Sequence, residues 1–190
     1  MKKVLVSILI LVLALFCLSL ATSPPEGAEP ADGTDGHESV EAWRQLVEKS
    51  AQLRQRGLHD QGIGTLREAL AAAVDEHGPD HPIVAYVMYT LGTTYLMSDN
   101  MEAARPMLER SLRIREQVFG PDHPDVAAVV NNLGALHERQ GNLDEAIPLF
   151  ERSLAIWEHA FPADHPVVVG SRDRLAKLHR DAGQPEEEEN

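Results

Sequence analysis

From residue 38 onward, apolar side chains recur at intervals of three and four. Val130, Leu133 and Leu136 make one run, and Ile147, Phe150 and Leu154 make the next. That spacing puts each run on one stripe of an α-helix. Between them lies "RQGNLDEA" at 139–146, where Gly141 suits the position just after a helix and Asn142 can cap the one that follows. The pattern predicts a helix-turn-helix hairpin. It persists to about residue 182, Ala and Leu are common, and long β-branched runs are absent beyond the N-terminus, so the chain is expected to be all-α.

The hairpin recurs. His81, His123 and His165 stand 42 residues apart, and the register holds along the whole unit. Leu91-Gly92 matches Leu133-Gly134, Ala104 matches Ala146, Pro106 matches Pro148, and "ERSLRIRE" at 109–116 matches "ERSLAIWE" at 151–158. An earlier, degenerate copy has Gly57 under Gly141, and Leu66 under Leu108 and Phe150. At the other end "LAKLHRDAG" at 175–183 repeats "LGALHERQG" at 133–141 before the chain runs into glutamates. Hairpins are therefore expected over about 38–77, 78–119 and 120–161, with a closing helix over 166–182. Gly134 and Ala146 are small where two helices must approach, and Phe150 fills the space between hairpins. Gly62 and Gly64, inside a helix of the degenerate copy, read as loose packing.

These residues carry a resemblance. A Leu-Gly pair in the first helix, Gly141 at the turn, then Ala146, Phe150 and Ser153 in the second, resembles the tetratricopeptide repeat. His137 and Val130 depart from its usual aromatics while keeping bulk. The family's usual period is about 34 residues, and the longer unit here, with its "GPDHP" connection, is similar to the kinesin light chain type, which is also widespread in bacteria. The resemblance implies a right-handed α-solenoid of three hairpins plus a terminal helix, with a concave groove that binds a protein or peptide. Carried over residue by residue, the groove is lined by Tyr86, Tyr89, Thr93 and Leu96, then Asn131, Asn132, Ala135 and Glu138, then Asp173, Arg174, Lys177 and Arg180. The first repeat supplies Arg44, Val47 and Arg54. Asn131 is expected to bond a peptide backbone and Tyr89 to pack a side chain. Some relatives clamp a C-terminal carboxylate with Lys and Asn on one first helix. Here Tyr89 and Thr93 stand in those places, so that clamp is not expected.

Composition and charge change this picture at the ends of the chain. Met1-Lys2-Lys3, an apolar run over 4–20 and the small residues before Thr22 form a signal-peptide pattern with cleavage expected after Ala21. An uncleaved membrane anchor over 4–21 is the alternative. Export leads to a periplasmic or extracellular protein. Residues 22–37 are rich in Pro, Gly and acids and read as a disordered linker, and residues 184–190 read as an acidic tail. Cys17, the only cysteine, would leave with the signal, so no disulfide or thiol nucleophile is expected in the remainder. That remainder has 15 basic residues against 30 acidic, a net charge of −15, which argues against nucleic acid as a partner.

"GPDHP" at 78–82 and 120–124, with "PADHP" at 162–166, offers a histidine in the same setting three times. Equivalent points on neighbouring hairpins lie roughly 10 Å apart, whereas two ligands of one zinc ion must bring their donors within about 4 Å. The motif suits punctuation better: Gly ends one helix, Pro opens the next, and the Asp or His before it caps the free amides. His137 and His179 share a repeat position with Tyr95, which marks a packing slot. No His-Glu-x-x-His, Gly-x-Ser-x-Gly or phosphate-binding glycine loop is present. The expectation is a non-enzymatic interaction module with no cofactor and no metal. A self-associating structural repeat is the alternative, and a metal-dependent hydrolase stands further off.

Overall fold

The computed structural model describes residues 42–183. The signal, linker and tail expectations lie outside them. Among the described residues seven α-helices follow one another: α1 (Ala42–Gln55), α2 (His59–His77), α3 (Pro82–Met97), α4 (Met101–Phe119), α5 (Pro124–Arg139), α6 (Leu143–Ala160) and α7 (Pro166–Gly183). Each helix packs on its neighbours in sequence. α1 with α2, α3 with α4, and α5 with α6 form hairpins, and α7 closes against α6. The described residues make a right-handed α-solenoid of three hairpins and a further helix, as the tetratricopeptide resemblance implies.

The tight turn inside each hairpin depends on one residue with positive φ. Gly57 (75°), Asp99 (58°) and Gly141 (78°) occupy the same repeat position. A left-handed residue after a helix reverses the chain at once, and Asp is among the few non-glycine residues that tolerate it. Asn100 then caps α4, its side-chain oxygen accepting from the Ala103 amide at 3.1 Å. Asn142 holds the equivalent place before α6 but makes no side-chain cap bond, contrary to the sequence expectation. The acidic first turn of α6, with Asp144 and Glu145, still suits the helix dipole there.

Between hairpins, Gly78 and Gly120 end α2 and α4 with φ of 83° and 86°. The cap then falls to histidine rather than aspartate. His81 Nδ1 accepts from the Ile83 amide at 3.2 Å, His123 Nδ1 from Asp125 at 3.1 Å, and His165 Nδ1 from Val167 at 3.3 Å. Each capping ring stacks on the ring four residues earlier: His77, Phe119 and Phe161, with centroids 4.7, 4.7 and 4.4 Å apart. One joint carbonyl is held by an arginine every time. Pro79 O accepts from Arg110, Pro121 O from Arg152, and Ala163 O from Arg172. The first two arginines come from the following hairpin's second helix. The third comes from α7 itself, which has no helix after it among the described residues.

Within the hairpins, glycine admits its neighbour's side chain. A Cβ on Gly92 would meet Leu108 carbons at 2.8 and 2.9 Å, and one on Gly134 would meet the Phe150 ring at 3.0 Å. Leu108 and Phe150 are correspondingly buried. The degenerate hairpin is not loosely packed at Gly62, where a Cβ would lie 3.2 Å from Arg54 Cγ and 3.4 Å from the Ser50 carbonyl. Gly62 occupies the repeat position of Ala104 and Ala146, which the helix crossing keeps small. Gly64 does face open space.

Candidate protein-binding groove

The first helices of successive hairpins touch one another directly. Trp43 on α1 meets the Tyr86 ring of α3 edge-on at 6.5 Å. Tyr89 Oη of α3 accepts from Asn132 Nδ2 of α5 at 3.2 Å, and Arg139 of α5 donates to the Leu96 carbonyl. Glu138 of α5 is ion-paired with Arg174 of α7, whose Nε donates to it at 3.1 Å. α1, α3, α5 and α7 thus form one continuous layer. The sequence-derived groove residues lie along this layer, though they contribute to its surface unequally.

Leu96 is 5% exposed and Tyr89 7%. Both are chiefly core, and each side chain is used by the fold. Tyr89 carries Arg115 over its ring, with the guanidinium carbon 4.7 Å from the centroid, in addition to its bond with Asn132. Asn132 also donates to the Ala128 carbonyl at 2.9 Å. Glu138 and Arg174 neutralise each other, and Arg174 lies over the Phe150 ring at 4.2 Å. Tyr86, Thr93, Asn131 and Ala135 are half-buried, while Asp173, Lys177 and Arg180 are exposed. Thr93 spends its hydroxyl proton on the Thr90 carbonyl. Asn131 makes no side-chain hydrogen bond among the described residues.

From the first repeat, Arg44 is exposed and Val47 buried. Arg54 is 9% exposed, and its Nε and Nη1 are buried without a hydrogen-bond partner. Burial lowers its affinity for its proton, against a smaller opposing pull from Tyr86. Burial in turn pushes the Tyr86 hydroxyl up from its ordinary value, with Arg54 pulling the other way. The guanidinium stays charged in any case, because its ordinary value lies so far above neutral pH.

Arg115, which sequence reasoning did not pick out, underlies the middle of this layer from α4. It is 4% exposed, donates to the Asp125 carbonyl at 2.8 Å, and its Nη1 stands 3.9 Å from the Asp125 carboxylate. Its signal in the sequence is a mismatch. The other repeats place Ala73 and Trp157 at this position, so a charged residue there had to be either exposed or specifically held. The Tyr95 slot behaves as packing for Tyr95 itself, which is 5% exposed and accepts from Arg67 Nε at 2.9 Å. It opens to solvent at His179, because α7 has no second helix to cover it among the described residues. Among those residues no three His, Cys, Asp or Glu side chains converge where a metal ion could be held. Nor is any helix there long and apolar enough to cross a membrane.

Known structures share this fold. A kinesin light chain-type protein of Podosopora anserina with nearly identical TPR-like repeats is similar at 23% identity, over 78% of this chain and 69% of that one, with a TM-score of 0.69. BtubC (BKLC) from P. vanneervenii is similar at 19% identity, over 83% of this chain and 61% of that one, with a TM-score of 0.70. At such identities the likeness is one of fold. No curated protein sequence matches the chain with significance. Residues 46–117, 98–159 and 125–190 each match the tetratricopeptide repeat model, and the chain belongs to the tetratricopeptide repeat family.

Proposed function

We propose that the chain is a non-enzymatic scaffold that takes an extended segment of another protein into the groove formed by α1, α3, α5 and α7. Tetratricopeptide repeats as a class mediate protein–protein contact. The observation that carries the finer reading is Asn131, a half-buried amide without a side-chain hydrogen bond among the described residues, whose neighbours Tyr89, Asn132, Glu138 and Arg174 are bonded within the fold. An amide offers both a donor and an acceptor, which is what one residue of an extended backbone needs. Ala135, one turn further along the same helix, is small enough to let a backbone approach. The paired states of Glu138 and Arg174 make them borders of the site rather than its anchors. Tyr89 and Leu96 support the groove from below. The signal pattern of residues 1–21 supports a site of action outside the cytoplasm.

The test uses the exported protein, whose first residue is then Thr22. A photo-crosslinking residue at position 131 is compared with one at position 117, which is exposed on α4. Position 131 is expected to yield a crosslink to a second protein and position 117 none. Equal crosslinking from the two positions, or a crosslink from position 131 only to another copy of this chain, would overturn the reading.

A further inference from the structure

The three joints share one device and differ in its surroundings. Each capping imidazole must be neutral, with its proton on Nε2, because Nδ1 is the acceptor of the helix amide. A second proton would remove that acceptor. It would also set a positive charge at the positive end of the helix dipole.

The neighbours of each ring decide how costly that proton is. In the first joint the stacking partner is a second imidazole, His77, with centroids 4.7 Å apart. His77 Nε2 is buried without a hydrogen bond and stands 3.4 Å from Glu76 Oε1. Asp80, which precedes the cap, is 3.5 Å from Arg110. In the middle joint the stacking partner is Phe119, and Asp125 Oδ2 stands 3.9 Å from His123 Nδ1. Arg115 faces that carboxylate from the other side at 3.9 Å, Glu116 is paired with Arg152, and Asp122 precedes the cap. In the last joint the partner is Phe161, Glu158 is paired with Arg172, and Asp164 precedes the cap.

We propose that the first joint is an acid-sensitive latch. In mildly acidic solution the His81 ring gains a proton, the Ile83 amide loses its acceptor, and the α1–α2 hairpin loosens from α3. The middle joint holds, because its ring stacks on Phe119 rather than on a second imidazole and the Asp125 carboxylate stands beside it. The effect is local to the end of the groove formed by α1.

Burial holds His81 below the ordinary value of 6.5, and His77 adds to that shift. The unfolded chain therefore takes up the proton more readily than the fold. The joint's contribution is fully present above about pH 6.5 and is lost as pH falls from there towards the lowered value.

The test turns the first joint into a copy of the others. His77→Phe gives it the aromatic found at Phe119 and Phe161, and His81→Asn keeps a cap that does not titrate. Thermal melts of the full chain at pH 7.5 and pH 5.0 are expected to show wild type losing about 3 °C more than either variant, while His123→Asn follows wild type. Hydrogen exchange, corrected for its intrinsic pH dependence, is expected to rise in α1 and α2 of wild type at pH 5.0 and not in α5 and α6. Parallel pH curves for wild type and His77→Phe would overturn the proposal. So would equal loss of protection in all three hairpins.

Discussion

The first hairpin and the middle one solve the same contact with the glycine on opposite helices. In the middle hairpin Gly92 on α3 admits Leu108, and Ala104 faces it from α4. One repeat earlier the glycine is Gly62 on the second helix, and Ser50 stands where Gly92 would be. Ser50 is fully buried, with its hydroxyl turned back to the Val47 carbonyl at 2.8 Å. The two seams mirror each other at one level. A Cβ on Gly92 would sit 3.4 Å from the Ala104 carbonyl, and one on Gly62 would sit 3.4 Å from the Ser50 carbonyl. What the repeat requires is therefore one bare backbone per crossing, on either helix. Identity at a given position is secondary to the distance between the two helices.

The comparison can be broken by moving one residue. Gly92→Ser copies the first hairpin's choice into the middle one without its compensating glycine, and meets Leu108 carbons below 3.0 Å. Overpacking of this kind costs about 2–3 kcal/mol, visible as a fall of roughly 8 °C in the melting temperature. Gly134→Ser should cost less, because the Phe150 ring is met at 3.0 to 3.2 Å and can give a little. If Gly92→Ser melts like wild type, the seam is not set by that contact.

The two buried arginines sharpen the contrast further. Arg115 in the middle hairpin has a carbonyl acceptor, the Asp125 carboxylate nearby and the Tyr89 face. Arg54 in the first has two buried nitrogens without partners, and its stem lies against Gly62. Arg115→Met should destabilise the chain by about 2 kcal/mol, the scale of a charged hydrogen bond together with a cation–π contact. Arg54→Met should stabilise it by about 1 kcal/mol, since desolvating an unbonded guanidinium costs more than an apolar side chain of that length. Urea melts of the two variants read the signs directly. Losses of equal size would show that Arg54 has an acceptor in solution.

The fold and the free polar groups of the groove were not equally legible in the sequence, because they depend on different things. His81, His123 and His165 at one interval fix where each hairpin begins, and the periodic Leu and Ala positions fix which faces meet. Both are properties of spacing. The groove assignment rests on which side chains remain unpaired after folding, and that depends on partners up to 43 residues away, as with Tyr89 and Asn132. Tyr89, Asn132 and Glu138 look alike in the sequence to Asn131, yet of these four only Asn131 is left without a side-chain bond among the described residues. The Asp-His-Pro motif reads as a cap from its position before the proline, but the sequence alone leaves the capping side chain open between Asp and His. The stacking that selects histidine is visible only once the ring four residues earlier is taken as part of the same unit.

The smallest effect concerns the other glycine of the first hairpin. Gly64 lies in the interior of α2, where a side-chain carbon would find nothing within 4 Å, and its φ is not positive. No contact or turn requires it, in contrast to Gly62 two residues earlier. Gly64→Ala should therefore stabilise the chain by about 0.5–1 kcal/mol through helix propensity alone. Gly62→Ala should erase that gain, because the same methyl would press on Arg54 Cγ at 3.2 Å. If the Arg54 stem is what makes Gly62 necessary, Gly62→Ala should become neutral once Arg54 is shortened to Ala, and a double-mutant cycle of the two in thermal melts would measure that coupling.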